Sequence, residues 1–252
     1  MWTHERQAQI LARLGKDGKV AANDLASEFS VSRETVRRDL MDMEKSGLLR
    51  RVHGGAVPSL APEPEPAFAM RQEQFASQKE AIGQTACALI PTGSTCFIDA
   101  GTTTSAFAHA LAARGRIRVI TNSLEIARIM VTGEDCDTLL LGGAPHADVP
   151  ATYGEMTLAE IDRFRADFAV ISPVAVDRNR GVTDYELHEA EVARKMIRNS
   201  HACMVLCHSA KLNTESRVSI CRLDEVDLLV TDAQAEPYEL PRGTTHYAPA
   251  VG

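Results

Sequence analysis

Residues 31–40 read "VSRETVRRDL" and place three arginines within six residues of a chain whose formal net charge is −7. At about 100° per residue, Val36, Leu40 and Met43 fall on one narrow stripe, which is typical of the buried face of a helix. The arginines lie off that stripe, with Arg38 nearly opposite it. The stretch therefore predicts an amphipathic helix whose solvent-facing side is strongly basic.

Two further helices are predicted before this basic helix. Residues 4–14, "HERQAQILARL", carry apolar side chains at helical spacing, and the pattern ends near Gly15. Residues 21–29, "AANDLASEF", predict the second helix, with Asn23 or Asp24 as its N-cap. The short turn "SVS" then leads into the basic helix.

A hairpin is predicted after the basic helix. Ser32 can cap that helix, and Gly47 should end it. Residues 48–57, "LLRRVHGGAV", read as two short strands around Gly54 and Gly55. This order of elements predicts a winged helix-turn-helix, in which the basic helix enters the major groove of DNA. The side chains of the wing expected to contact phosphates or the minor groove are Arg50, Arg51 and His53.

Charge is distributed unevenly along the chain. Residues 1–56 hold ten Lys and Arg against eight Asp and Glu, a net of +2, whereas the rest holds 17 against 26, a net of −9. A basic head on an acidic body favours a partner that is a polyanion. The alternative is a solvated helix face whose arginines pair with Glu34, Asp39 and Asp42.

The boundary between head and body lies in the proline-rich stretch "VPSLAPEPEPAF", residues 57–68. A run such as "PEPEP" neither continues a helix nor fits inside a sheet, so it predicts an extended spacer. We therefore place a winged helix-turn-helix domain at 1–57, a linker at 58–67 and a larger domain, the body, at 68–252.

The body alternates between helical patterns and short apolar runs. A long helical pattern, "FAMRQEQFASQKEAIGQTACALI", comes first. It is followed by six β-rich runs, namely "TCFIDA", "IRVIT", "DTLLLGG", "FAVISPVAV", "ACMVLC" and "DLLVTD". This alternation predicts an α/β fold with a mostly parallel sheet covered by helices on both faces.

Several features predict a cytoplasmic location. No apolar run reaches the roughly 18 residues that a membrane span needs, and the N-terminus lacks the apolar segment of a secretory signal. The six cysteines are scattered at irregular spacing, which favours reduced thiols over a disulfide framework.

Small polar residues follow three of the predicted strands, at the edge of the sheet where α/β proteins bind ligands. The first group, "DAGTTTS" at 99–105, opens directly into a helix, and the others are "TNS" at 121–123 and "LGG" at 141–143. Backbone amides and outward-facing hydroxyls of residues 102–104 would make a phosphate seat at the helix N-terminus. The alternative is an ordinary capped turn between strand and helix.

The chain resembles the DeoR family of bacterial transcriptional regulators along nearly its whole length. The run S-x-x-T-x-R-R-D-L followed by R-x-H-G-G-A matches the head of that family, and "IDAGTTT", "VITNSLEIA", "LLLGG" and "AEVARKMI" match its effector domain. The resemblance implies a phosphosugar-isomerase-like body that binds a phosphorylated sugar or polyol without converting it. It also implies a repressor of a sugar or polyol catabolic operon that binds double-stranded operator DNA as a dimer or tetramer.

Two sets of site residues follow from the patterns and the resemblance together. The predicted DNA-binding residues are Ser32, Arg33, Thr35, Arg37, Arg38, Arg51, His53 and Gly54. The predicted effector-binding residues are Asp99, Gly101, Thr102, Thr103, Thr104, Thr121, Asn122, Ser123, Gly142, Gly143, Asp184, Glu186 and Lys211. No catalytic residue, metal site or cofactor is predicted.

Departures from the family pattern fall near the expected pocket. Family members often carry a glycine where this chain has "SPVAV" at 172–176, and an aspartate where it has His208. These departures leave open a ligand that differs from the better-known ones. The acidic run at 184–191 could offer Asp184, Glu186 or His188 to sugar hydroxyls, or it could simply be the charged start of a helix.

Two other classes of function were weighed against a regulator. A phosphosugar isomerase-like enzyme with a DNA-binding appendage would need a base such as Asp99, Asp184, Glu186 or His208 beside the substrate carbon. A metal-responsive regulator would use Cys203, Cys207 and His208. In a strand, however, residues 203 and 207 share a face and read as small core residues, and their spacing is not the usual C-x-x-C.

Overall fold

The chain divides into two compact units, residues 1–64 and 65–252. A computed structural model describes residues 6, 7, 9–11, 13, 14, 18–29, 31–45, 49–52, 54–58 and 66–250. Most of the predicted linker, and the predicted helix ends at Gly15 and Gly47, lie outside the described residues.

The first unit is a helical head with a three-stranded antiparallel sheet. Its described residues between 6 and 14 are helical. The other elements are β1 (Val20–Ala21), α1 (Ala22–Glu28), α2 (Arg33–Lys45), β2 (Leu49–Val52) and β3 (Gly55–Pro58), with the strands in the order β1-β3-β2. The predicted stripe is confirmed, because Val36, Leu40 and Met43 are buried in one core with Ile10 and Leu25.

Helix starts in the head follow two different rules. Ser32 caps α2 as predicted, since its Oγ accepts a 3.1 Å hydrogen bond from the Thr35 N–H. The prediction of Asn23 or Asp24 as the cap of α1 is wrong. That helix begins at Ala22 directly after β1, and the Ala22 N–H donates to the Gly54 carbonyl at 2.9 Å. The sheet therefore supplies the acceptor that a capping side chain would have supplied.

The second unit is built on a seven-stranded sheet in which every neighbouring pair is parallel. The strand order is β15-β14-β12-β9-β4-β5-β6. These strands are β4 (Thr95–Ile98), β5 (Ile117–Thr121), β6 (Cys136–Leu140), β9 (Ala166–Ile171), β12 (Ser200–Leu206), β14 (Leu228–Thr231) and β15 (Thr244–Tyr247). The predicted α/β class with a mostly parallel sheet is confirmed.

Helices and a small sheet cover the two faces of the large sheet. The helices are α3 (Phe68–Glu73), α4 (Ala76–Leu89), α5 (Thr102–Arg114), α6 (Leu124–Met130), α7 (Glu155–Ile161) and α8 (Leu187–Arg198). Alternation along β4 shows the layering, because Cys96 and Ile98 pack against α4 and α5 while Phe97 packs with Val192 of α8. No helix in the described part of the chain is both long and apolar enough to cross a membrane.

Five short strands complete the second unit. A hairpin, β7 (Ala144–Pro145) with β8 (Thr152–Tyr153), follows β6. A separate antiparallel sheet joins β10 (Ala175–Asp177), β11 (Gly181–Asp184) and β13 (Val218–Cys221). Residues of this small sheet pack with Ala190 and Ala193 of α8 in one core.

Two predicted elements are interrupted in the structure. The long helical pattern at the start of the body splits into α3 and α4, because Phe75 adopts a left-handed conformation with φ of 55°. The run "FAVISPVAV" splits into β9 and β10 on either side of Pro173, which lacks the N–H that a central strand requires. Strands β1, β7, β8, β11, β13 and β15 are absent from the sequence prediction.

Candidate functional sites

The solvent side of α2 carries exposed arginines. Arg33, Arg37 and Arg38 are all exposed. Arg38 approaches Glu34 one turn earlier at 3.8 Å, but its side chain remains 74% exposed. Among the described residues, neither Arg33 nor Arg37 has an acidic partner within salt-bridge distance. The face therefore presents at least two charges that are available to an external anion.

The acid at the centre of α2 is neutralised by the core of the head. Asp39 is buried, and both of its carboxylate oxygens accept from Arg6, with 3.0 Å between Arg6 Nη2 and Asp39 Oδ1. This hydrogen bonding raises the pKa of Arg6. The alternative reading, in which Asp39 pairs with the arginines of its own helix, does not hold at this position.

A groove of about 620 Å³ runs between α2 and the wing. Arg33 and Arg37 line it from the helix, and Arg51 and Gly54 line it from the wing. We call this surface the arginine groove. Glu44 fixes the wing to α2, because it accepts the Arg51 N–H at 2.8 Å and lies 3.4 Å from the Arg51 Nε. The hairpin turns at Gly54, where φ is +83°, while His53 lies outside the described residues.

The turn from β4 into α5 lies at the carboxyl edge of the large sheet. The hydroxyl of Thr104 donates to the Gly101 carbonyl at 2.9 Å, and that of Ser105 does so at 2.8 Å. The Thr103 hydroxyl is buried and has no partner within the described residues. Only Thr102 is half-buried, so the expectation that all three threonine hydroxyls face outward is not met. The N–H groups of the first turn of α5 are its remaining polar feature.

The three polar residues after β5, residues 121–123, differ in whether their side chains have hydrogen-bond partners. Thr121 donates from its hydroxyl to the Ile98 carbonyl at 2.7 Å and accepts the Ser123 N–H at 3.0 Å. Ser123 caps α6 by accepting the Ile126 N–H at 3.2 Å. Asn122 is completely buried; its Oδ1 has no partner in the described part of the chain. Asn122 is thus the member of this group that can offer a free acceptor.

The glycine pair after β6 packs against α7. The Gly142 N–H donates to Glu160 at 2.6 Å, and the Gly142 carbonyl accepts from the Thr157 hydroxyl at 2.7 Å. A Cβ atom on Gly143 would lie 2.1 Å from the Thr157 Oγ1, where φ is also +150°. Glu160 and Thr157 therefore occupy the backbone polar groups of Gly142, and the site of Gly143 has no room for a side chain.

Two buried carboxyl groups face the same region. Asp99 follows β4, and Asp184 ends β11. Burial, and then the charge of Asp184, raise the pKa of Asp99 to about 8, against a hydrogen bond from the Ala100 N–H that lowers it. Asp184 accepts the Tyr185 N–H at 2.6 Å. At neutral pH Asp99 is mostly protonated, so it can donate as well as accept a hydrogen bond.

Three aromatic rings meet beside these carboxyl groups. His146 lies after β7, Tyr153 ends β8 and His188 is the second residue of α8; the ring centroids of Tyr153 and His188 are 4.6 Å apart. Apart from His188, these residues were missed by sequence reasoning. The hairpin that carries the other two has no strong periodicity, and the signal that could have found it is a Tyr and a His within the loop after "LGG".

Two further predicted effector residues lie in different settings. The Lys211 Nζ donates to the Pro173 carbonyl at 2.7 Å. Pro173 adjoins Ser172, whose Cβ lies 3.3 Å from the position that a Cβ on Gly101 would take, so the carbonyl that Lys211 contacts is close to the start of α5. Glu186 forms a half-exposed ion pair with Arg217 at 3.2 Å.

One departure from the family pattern, His208, is accommodated by packing. His208 is buried and stacks on Phe75, with 4.4 Å between ring centroids. Burial, then Lys211 and Lys79, lower the pKa of His208 to about 4. Cys203 and Cys207 lie in the core of the body, as the alternation of the strand predicts.

Two family models match the chain. The model of the DeoR-like helix-turn-helix domain matches residues 6–59, and that of the DeoR C terminal sensor domain matches residues 74–233. Among solved structures, ribose 5-phosphate isomerase A from Methanocaldococcus jannaschii covers 55% of this chain and of its own, with a TM-score of 0.40 and 17% identity. At that level of likeness we draw nothing further from it.

Named relatives match along nearly the whole chain. The glycerol-3-phosphate regulon repressor of Haemophilus influenzae is 32% identical, over 96% of this chain and 92% of its own. The repressor of the same name in Escherichia coli is 33% identical, over 91% and 90%. The repressor GlcR of Bacillus subtilis is 30% identical, over 92% and 89%. With both of its units matched, this chain belongs to the DeoR family of transcriptional regulators.

Proposed function

We propose that this protein is a transcriptional repressor that binds operator DNA through its head and responds to a phosphorylated sugar or polyol in its body. The arginine groove is the observation that carries the first half. Its guanidinium groups come from both helix and wing, and a helix whose other face is buried can insert only this face into a major groove. The relatives named above are also repressors, two of them of the glycerol-3-phosphate regulon.

We propose that the phosphate of the effector binds at the start of α5. The N–H groups of residues 102–104 and the positive end of the helix dipole support this position, as does the Lys211 ammonium on the same side of the pocket. Asn122, Thr103, Asp99 and Asp184 would then contact the sugar hydroxyls. In this proposal Thr121, Ser123, Gly142 and Gly143 position the pocket, and Glu186 lies at its rim.

We propose that the effector is bound and released unchanged. The names of the relatives support a sensor in place of an enzyme. Incubating the purified protein with ribose 5-phosphate should leave the compound unchanged by NMR, whereas appearance of a ketose phosphate would support the isomerase alternative. We also propose residues 1–57, 58–67 and 68–252 as head, linker and body, and the cytoplasm as the location.

We propose that the protein self-associates, since winged helix-turn-helix heads bind symmetric half-sites as pairs. A surface in the body supports this. Strand β6 is at the end of the large sheet, and both Leu139 and Leu140 on it are 42% exposed. An apolar edge strand of this kind is normally covered by another chain.

Fluorescence anisotropy tests the proposed function directly. A labelled duplex carrying the DNA upstream of the gene is titrated with protein, with and without a set of phosphorylated sugars and polyols. Specific binding that changes when one compound is added would support both halves. Binding no tighter than to an unrelated duplex would contradict the DNA half, and tight binding that no compound changes would contradict the effector half.

A further inference from the structure

The rings of His146, Tyr153 and His188 pack together in the body. Ring centroids lie 4.6 Å apart for Tyr153 and His188, 5.1 Å for His146 and His188, and 5.7 Å for His146 and Tyr153. Tyr153 meets both imidazoles edge-on. We call these three residues the ring cluster.

The nitrogens of the two histidines of the ring cluster are held in different ways. The Nδ1 of His146 accepts backbone N–H groups from Asp148 at 3.2 Å and from Val149 at 3.0 Å, so its proton resides on Nε2. Burial, and then the neighbouring His146, lower the pKa of His188. The ring cluster therefore has an N–H donor at His146, and the surroundings of His188 disfavour a positive charge on its ring.

One carboxyl group contacts the ring cluster. The Tyr153 hydroxyl donates to Glu189 Oε1 at 3.3 Å. Burial, followed by the charges of Glu189, Asp99 and Asp184, raises the pKa of Tyr153. Asp99 is mostly protonated at neutral pH, so the charges that would repel an anionic group entering here are those of Asp184 and Glu189.

Unsatisfied polar atoms indicate that a ligand completes this region. The Nε2 of His188 is buried and has no partner among the described residues. The same holds for the Oδ1 of Asn122, a fully buried side chain whose Nδ2 donates to the Thr152 carbonyl, next to Tyr153, at 3.1 Å. Buried polar atoms are nearly always satisfied, so unpaired ones beside a pocket call for a polar partner.

We infer that the ring cluster, with Asp99, Asp184 and Glu189, selects the uncharged, hydroxyl-bearing end of the phosphorylated effector and rejects a carboxylate at that end. This inference rests on the proposed function, because it requires the phosphate to be bound at the start of α5. A hydroxyl can both donate to the acids and accept from an imidazole N–H, whereas a carboxylate can only accept and carries a charge of the same sign as Asp184 and Glu189.

Two matched pairs of probes test the selection. D-glucitol 6-phosphate and 6-phosphogluconate differ only in a terminal hydroxymethyl against a carboxylate, and sn-glycerol 3-phosphate and 3-phospho-L-glycerate differ in the same way. Isothermal titration of the full chain should give the polyol phosphate of at least one pair an affinity about tenfold or more above that of its acid. The variants His188→Leu and Tyr153→Phe should reduce this ratio severalfold, while His201→Leu, at an exposed histidine of β12, should leave it unchanged.

The outcomes separate this inference from the function on which it rests. An acid that binds as tightly as its polyol would overturn the selection, even if both change DNA affinity as the proposed function expects. An undiminished ratio in folded His188→Leu and Tyr153→Phe proteins would also overturn it. If no probe of either pair binds, effector control itself fails for these compounds and the ring cluster loses its role with it.

Discussion

The arginine groove of the head and the proposed effector site of the body differ in the exposure of their ionisable side chains and in how far their surroundings change the pKa. In the head, Arg33 and Arg37 are exposed and carry a charge that does not depend on their surroundings. In the body, Asp99 is buried and His188 is half-buried, and their surroundings displace the pKa of each toward the neutral form. An exposed cationic surface suits a long polyanion, whereas an enclosed site of adjustable groups suits a small polar molecule.

The largest effect predicted from this comparison is a loss of stability in the head. Replacing Arg6 with Met leaves the buried Asp39 carboxylate without its partner, and we expect the free energy of unfolding of the head to fall by about 3–5 kcal/mol. Calorimetry should show a weakened transition of the head beside an unchanged transition of the body. The double variant Arg6→Met/Asp39→Leu should recover much of the loss, since it removes the buried charge; failure to recover would mean that the lost stability came from another contact of Arg6.

The next effect is a pH dependence of the body. The pKa of Asp99 is about 8 in the folded chain, against an ordinary value of 3.8, so between these values the folded state holds a proton that the unfolded state has lost. The contribution of Asp99 to the free energy of unfolding therefore falls as pH rises, by up to about 1.4 kcal/mol per pH unit.

Comparison with Asp99→Asn isolates that dependence. Urea unfolding at pH 5, 6 and 7 should show the wild type losing stability relative to the variant as pH rises. His208, whose stabilising contribution is lost as pH falls toward about 4, titrates with the opposite sign in both proteins and cancels. A difference that stays flat or grows in favour of the wild type would show that Asp99 ionises normally.

A smaller effect is expected from one arginine of the groove. Arg37→Ala should weaken operator binding by about 1–3 kcal/mol and, if Arg37 contacts a phosphate, lower the salt slope by about one unit. Arg198→Ala, at an exposed arginine in the body, serves as the matched control. Equal affinities for Arg37→Ala and wild type at several salt concentrations would remove Arg37 from the DNA interface.

The smallest effect in free energy concerns the edge strand. Leu140→Glu places a charge on the exposed apolar edge of β6, so sedimentation should detect a smaller species at low protein concentration. Thr132→Glu, at an exposed position after α6, controls for the added charge. An unchanged sedimentation coefficient for Leu140→Glu would place the contact between copies elsewhere.

The same contrast explains which features the sequence could predict. The cap at Ser32, the stripe of Val36, Leu40 and Met43, and the alternation of the body are local patterns, and the structure confirms them. The ring cluster joins residues up to 42 positions apart, so no local period marks it. The break at Phe75 and the start of α1 at Ala22 depend on contacts with distant segments for the same reason.

Polar residue type alone did not distinguish supporting from available groups. Thr104, Thr121 and Ser123 have the residue types of a phosphate site, yet each hydroxyl is occupied by a backbone group. Asn122 and Thr103 have the same local pattern and are left unpaired. The packing of neighbouring strands and helices decides which of these side chains is hydrogen-bonded to the backbone. That packing cannot be read from the local sequence pattern.

The most direct test of the account measures two affinities on two variants. Operator affinity is measured by anisotropy, and effector affinity by calorimetry with the compound found to change operator binding, for Arg37→Ala and Lys211→Met. We predict a crossed result: Arg37→Ala loses operator affinity and keeps effector affinity, and Lys211→Met loses effector affinity, about tenfold or more, and keeps operator affinity without effector. A variant that loses both affinities while remaining folded, or Lys211→Met that keeps both, would contradict the assignment of the two functions to separate units.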